Sequence, residues 1–162
     1  MTWLRRIALA LLALVALAAI AWFGGLGPRG PLAGGWLWGP VVRERVSEWS
    51  FTDRIGEVQV QTRLGPLPYS VTTWNLSAGD RFYIPSGDCS RRWVRLVLAH
   101  PDVRVRIDGR IYELRATRED DLAAASRVAP VLLEKYLGIR DEGARFSGEN
   151  RTSCLLRMEP RS

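Results

Sequence analysis

The longest apolar stretch opens the chain: after Arg5 and Arg6, residues Ile7 to Phe23 carry no charge and are mostly Leu, Ala, Val and Ile. At about 1.5 Å per residue such a helix is roughly 25 Å long, and Trp3 and Leu4 extend it towards the ~30 Å hydrocarbon thickness of a bilayer. Trp3 at one end and Trp22 with Phe23 at the other fall where interfacial aromatic residues sit. The pattern predicts a single membrane span through residues 3–23. The two arginines before it favour the N-terminus inside, which sends the rest of the chain across a bacterial inner membrane to the periplasmic or extracellular side. A cleaved signal peptide is the second reading, since Ala19, Ile20 and Ala21 form an A-x-A site. Against it, the run exceeds the usual apolar core of about 7–15 residues, and bulky Trp22 and Phe23 follow.

Gly24 to Pro40 holds seven Gly and three Pro in 17 positions, which excludes a regular element. Two readings stand level. In one the segment is a spacer holding a domain off the bilayer while Trp36, Leu37 and Trp38 dip back into the interface; in the other those side chains pack on the domain itself. The expected organisation is an anchor or signal peptide over 1–24, a Gly/Pro-rich linker over 25–46 and a folded domain over 47–162.

Beyond Ile55 the period shortens to two. Val58 and Val60 alternate with Gln59 and Gln61, the turn residues Gly65, Pro66 and Pro68 interrupt, Tyr69 to Leu76 gives a second strand, and Arg81 to Pro85 a third that pairs with it as a hairpin. Arg91 to Ala99 predicts a short helix with Trp93, Val94, Val97 and Leu98 inward, stopped at His100 and Pro101. Asp108-Gly109 is a strong hairpin signal; it sets Ile107, Val105 and Val103 opposite Arg110, Tyr112 and Leu114, with Arg104 facing Glu113. Acidic residues 119–121 open a second helix whose apolar face is Leu122, Val128, Leu132, Leu133, Tyr136 and Leu137. It ends at Gly138 and is kinked or split at Pro130. Thr152 to Met158 is the last strand. The order predicts a mainly β, α+β fold: a six-stranded split β-barrel with two helices, preceded by one N-terminal transmembrane helix.

Charge changes this picture little. The chain of 162 residues has 23 basic and 17 acidic side chains, a formal +6. Of this, +4 lies in the first 45 residues and +2 in the remaining 117, so the folded part lacks the concentrated basic charge of a nucleic-acid module. Chemistry is narrowed by what the motifs omit. His100 is the sole histidine and sits at a Pro-terminated helix end, so nucleophilic triads are disfavoured. Cys89 and Cys154 stand alone without metal-ligand spacing, and no phosphate-binding glycine motif occurs. Asn75-Leu-Ser and Asn150-Arg-Thr fit the glycosylation pattern.

In an oxidising compartment Cys89 and Cys154 are expected to form a disulfide, the alternative being two free thiols. The loop SGDCSRRW is the positive feature. With Ser90 as helix N-cap, the free amides at the helix start together with Arg91 and Arg92 form an anion site suited to a phosphate. The bland alternative is two solvated arginines on a helix face.

TRLGPLPYSV in the first hairpin, GDRFYIPSG across the following strands, Trp93 eight residues before Pro101 in WVRLVLAHPDVRV, and DGRIYELRA, together with the final CLLRMEP, resemble the flavin and deazaflavin split-barrel oxidoreductases, the superfamily of pyridoxamine phosphate oxidase and the deazaflavin-dependent nitroreductases. The resemblance covers about 70 residues. It implies FMN or a deazaflavin as cofactor, held at the mouth of a pocketed barrel, with Arg63, Ser70 and Thr72 near the ring and Ser86, Gly87, Arg91, Arg92 and Trp93 near the phosphates. No catalytic side chain is implied. It also implies hydride transfer from the reduced cofactor to a quinone-like or nitro-type acceptor, and a homodimer. Leu96 stands where the family has Asn, one Gly follows the third strand instead of two, and the first turn is shortened to Arg63-Leu-Gly65. These departures open the alternative of a non-catalytic exported binding barrel that has lost its cofactor.

Overall fold

The computed structural model describes residues 2–24, 27–141 and 154–161. The first element, α1 (Thr2–Phe23), is one continuous helix. Within Trp3–Phe23 an 18-residue stretch has a mean hydropathy of 2.3 and no fully buried residue, with Ala21 and Trp22 half-buried at its end, so the helix is long and apolar enough to cross a membrane.

Seven strands follow among the described residues: β1 (Glu57–Leu64), β2 (Leu67–Trp74), β3 (Leu76–Ala78), β4 (Arg81–Ser86), β5 (Asp102–Ile107), β6 (Arg110–Arg118) and β7 (Cys154–Pro160). They form one curled antiparallel sheet in the order β2-β1-β5-β6-β7-β4-β3, a half-barrel left open between β2 and β3. The β5–β6 hairpin has the register expected from Asp108-Gly109, with Val105 opposite Tyr112 and Arg104 opposite Glu113. Both turn residues take positive φ, 47° and 77°, as a tight two-residue hairpin turn demands.

The strand count corrects the expected six. Tyr69 to Leu76 is not one strand, because the chain breaks at Asn75. The Asn75 side chain is fully buried, its Nδ2 donates to the Ile55 carbonyl at 2.6 Å, and Leu76–Ala78 leaves β2 to pair with β4 instead. The hairpin partner of β4 is therefore β3. Burial also removes Asn75 as a glycosylation acceptor; Asn150 lies outside the described residues, as does Thr152 at the expected start of the last strand.

The interior is filled by Val58, Val60, Phe82, Ile84, Val103, Val105, Ile107, Leu114 and Leu156. Helix α2 (Arg92–Ala99) packs Trp93, Val94 and Val97 onto this core, while Leu98, expected inward, is exposed. Thr62 points its hydroxyl at the Leu96 carbonyl at the end of that helix. Helix α3 (Leu122–Leu137) is capped by the Asp121 carboxylate at the Ala123 amide and by Gly138 at φ +66°. Pro130 sits inside α3 without splitting it: Ala125 and Val128 before the proline and Val131, Leu132 and Tyr136 after it pack on the same small cluster with Leu76, Tyr83 and Leu155, so one surface holds both halves. Leu137, expected on that face, is exposed. Cys89 and Cys154 are joined, their Cα atoms 5.0 Å apart.

Residues 27–49 form a strap that wraps the sheet. Gly34 pairs with Ser70 on the free edge of β2, and Val41 pairs with Ile111 where β6 extends beyond β7. In between, Leu37 is fully buried and its amide donates to Gln61 Oε1 at 2.7 Å. Of the three bulky strap residues, Leu37 is inside, Trp36 is half-buried and Trp38 is exposed. Trp49 then turns into the core and stacks on Phe82 with ring centroids 4.7 Å apart. Gln61→Ala leaves the Leu37 amide buried without an acceptor and is expected to cost about 1–3 kcal/mol in urea unfolding. Gln61→Glu, which keeps an acceptor there, recovers most of the loss.

Candidate functional site

The loop after β4 is built around Asp88. Ser86 donates its hydroxyl to the Asp88 carbonyl at 2.9 Å, and the Asp88 carboxylate accepts both the Ser90 amide and the Ser90 hydroxyl at 2.7 Å. Those two donors hold the Asp88 carboxyl below its ordinary pKa. The expected anion site is thereby altered: the cap position is Arg91, not Ser90, and the Ser90 donors serve an internal carboxylate. Gly87 and Arg91 are exposed. Arg92 is also exposed and lies over the Tyr69 ring at 5.8 Å. Ser86 at the end of β4, Gly87 and Arg91 in the loop and Arg92 at the start of α2 thus flank one turn of chain, tied to β7 through Cys89, whereas Trp93 belongs to the core.

Ser70 and Thr72 lie elsewhere. In β2, Tyr69 and Val71 face the core, so Ser70 and Thr72 face outward, under the strap. Ser70 is fully buried. Its amide and carbonyl pair with Gly34 at 2.8 Å each, and its hydroxyl donates to the Gly35 carbonyl at 2.8 Å. Thr72 reaches the Pro28 carbonyl at 3.5 Å. Gly35 also lets the strap pass against the end of α1: a Cβ there would collide with the Trp22 carbonyl. Arg63 is exposed at the tip of β1, opposite Pro68 in the β1–β2 register and two register positions from Ser70.

Four residues of this outer face were not singled out as site residues from the sequence. Gln59 donates to the Pro28 carbonyl at 3.2 Å, Gln61 accepts from Leu37, the Arg104 guanidinium lies 4.8 Å over the Trp36 ring, and Arg106 reaches the Trp38 carbonyl at 3.3 Å. Their signal was the alternation itself, polar at every second position of β1 and β5. Beside the strap, a cleft of about 270 Å³ is lined by Pro28, Gln59, Thr72 and Arg106, among others.

Lys135, the single lysine of the chain, has its ammonium within 3.1 Å of three oxygens, the carbonyls of Thr52 and Asn75 and the Asn75 side chain. Burial lowers its pKa, opposed by Asp53. Tyr136 accepts from the Asn75 amide at 3.0 Å and donates to the Gly56 carbonyl at 2.6 Å. Each ammonium proton is engaged, so this cluster cross-links α3 to the break after β2 and leaves no free amine for chemistry.

A flavin-type cofactor needs a free ring-binding face and unengaged donors for its phosphate. Here the barrel interior is packed, with Trp49 and the α2 residues contributing to the core; Ser70 and Thr72 are covered, and the Ser90 donors are taken by Asp88. As folded, the ring-side residues carried over from the resemblance, Ser70 and Thr72, do not fit the group; on the phosphate side Ser86 and Trp93 are buried, while Gly87, Arg91 and Arg92 are exposed.

No family profile and no curated protein matches the chain. Solved structures do. A candidate pyridoxamine 5'-phosphate oxidase from Listeria innocua is similar at TM-score 0.54 and 16% identity, over 70% of this chain and 90% of that one. A candidate 5-nitroimidazole antibiotic resistance protein from Bacteroides thetaiotaomicron is similar at TM-score 0.56 and 11% identity, over 75% and 82%. A conserved hypothetical protein of Mycobacterium tuberculosis gives 0.53 and 12%, over 75% and 87%. The chain has the split-barrel fold of these proteins, in agreement with the resemblance read from its residues.

Proposed function

We propose that this protein is a membrane-anchored, exported split barrel that works as a binding module without a redox cofactor. One observation carries the reading: the face bearing Ser70 and Thr72 is paired and hydrogen-bonded to the chain's own strap. A covered face keeps the barrel while giving up the chemistry the fold supports elsewhere. The test is spectroscopic. Purified full-length protein is expected to be colourless in the near-ultraviolet and blue, and to leave added FMN or deazaflavin unbound in equilibrium dialysis. A yellow preparation that bleaches on reduction overturns the reading.

A second reading is favoured by the exposure of Gly87, Arg91 and Arg92 between the end of β4 and the start of α2 and by the activities named for the Listeria and Bacteroides proteins. In it the strap lifts and an FMN or deazaflavin supplies hydride to a quinone-like or nitro-type acceptor, as a homodimer. That reading requires Arg91→Ala with Arg92→Ala to abolish cofactor retention.

A further inference from the structure

The strap leaves no spacer between α1 and the barrel, and this fixes which part of the barrel meets the membrane. Trp22, in the last turn of α1, donates its indole N–H to the Pro68 carbonyl at 3.0 Å, and its own carbonyl accepts the Trp36 amide at 3.2 Å. Trp38 donates its indole N–H to the Phe23 carbonyl at 3.1 Å. The end of the helix is therefore fastened to the β1–β2 tip, which favours the reading in which the segment packs on the domain over the one in which it is a spacer.

Around this junction lie large apolar side chains that the described residues leave about half exposed: Phe23 is 46% exposed, Trp38 59% and Leu67, which precedes Pro68, 43%. Single exposed apolar residues are ordinary, but three beside the end of an apolar helix form a patch. Cations accompany them. Arg63 is the register partner of Pro68, and Arg92 lies over Tyr69, the residue after Pro68. Carboxylates are missing from both segments that meet here: residues 2–43 and 58–79 contain no acidic side chain.

We infer that this rim is a lipid-binding surface, with Phe23, Trp38 and Leu67 seated in the interfacial layer and Arg63 and Arg92 on the phosphates of anionic phospholipids. Tryptophan suits that layer because its ring is apolar and its N–H polar, and arginine suits a phosphate because its fork donates two parallel hydrogen bonds. The negative potential of an anionic leaflet attracts such arginines within a Debye length. The inference rests on the anchored reading and names the partner of the barrel in it.

The experiment uses the full chain reconstituted in vesicles of phosphatidylcholine with phosphatidylglycerol, one of the two brominated in turn. Bromine quenches tryptophan emission only where the ring reaches lipid. Trp38→Phe is expected to reduce the quenched amplitude, and Leu67→Trp in that background to restore it. Brominated phosphatidylglycerol is expected to quench more than brominated phosphatidylcholine at equal content, and Arg63→Gln with Arg92→Gln to remove the difference. Quenching that is present yet unchanged by Trp38→Phe overturns the lipid rim and leaves the anchor standing; no quenching of any tryptophan overturns the anchor as well. Equal quenching by the two brominated lipids overturns the role of the arginines. A dimer in which Trp38 is shielded from bromine assigns the patch to a second copy and overturns the inference.

Discussion

Replacing Cys89 and Cys154 together with alanine is expected to destabilise the domain by about 4 kcal/mol. The bridge closes a loop of 65 residues, and on the chain-entropy model a loop of that length removes about this much free energy of disorder from the unfolded chain. The folded state adds to the effect. Cys154 is buried at the start of β7 and Cys89 packs against the main core, so the bond pins the loop that carries Asp88, Arg91 and Arg92 to the sheet. Urea unfolding with and without reductant checks this. Wild type with reductant and the double variant without it should unfold at the same low midpoint, and a wild-type midpoint that ignores complete reduction would refute the prediction. The Arg92–Tyr69 contact should loosen in the same variant, because its loop loses its tie to β7.

The readability of the sequence follows the range of the interactions involved. Asp108-Gly109 was legible because a two-residue turn dictates its own register, and the structure has that register across β5 and β6. Trp93, Val94 and Val97 were legible as the inward face of a short helix from their spacing. Asn75 was not. Its role as a strand breaker depends on Ile55, Lys135 and Tyr136, which are 20, 60 and 61 positions away in sequence, and no local pattern announces partners so distant. The strap was legible only as non-regular chain. Its glycines and prolines rule out a helix or strand, but they do not say that Gly34 will pair with Ser70 or that Leu37 will be fully buried. For the same reason the N-cap was misplaced at Ser90: a Ser before an apolar helix fits an N-cap, and only the fold shows that Asp88, two residues earlier, captures its hydroxyl and amide and that Arg91 takes the cap position.

Trp49→Ala is expected to cost about 3–5 kcal/mol, the range for truncating a large buried aromatic, and to do so although Trp49 belongs to no helix or strand. The residue is 2% exposed, nearly parallel to Phe82 at 4.7 Å, and within 5.6 Å of Tyr112 and 5.8 Å of Phe51. Its removal leaves a hole that Phe82 and Tyr112 cannot close, since both stand on paired strands, β4 and β6, whose positions are set by β7 between them. It also frees the strap, because Trp49 anchors the end of that segment as it enters the core. Trp49→Phe retains the stacking at smaller volume and should lose less than half as much. The discriminating comparison is with Trp38→Phe: that exposed residue bonds the helix end and touches the Trp36 ring, and its change should leave the unfolding free energy within about 0.5 kcal/mol of wild type. If the Trp49 and Trp38 variants unfold alike, Trp49 does not hold the strap to the barrel. The covered face of β2 would then have to be kept closed by the Gly34–Ser70 pairing and the Leu37–Gln61 bond alone.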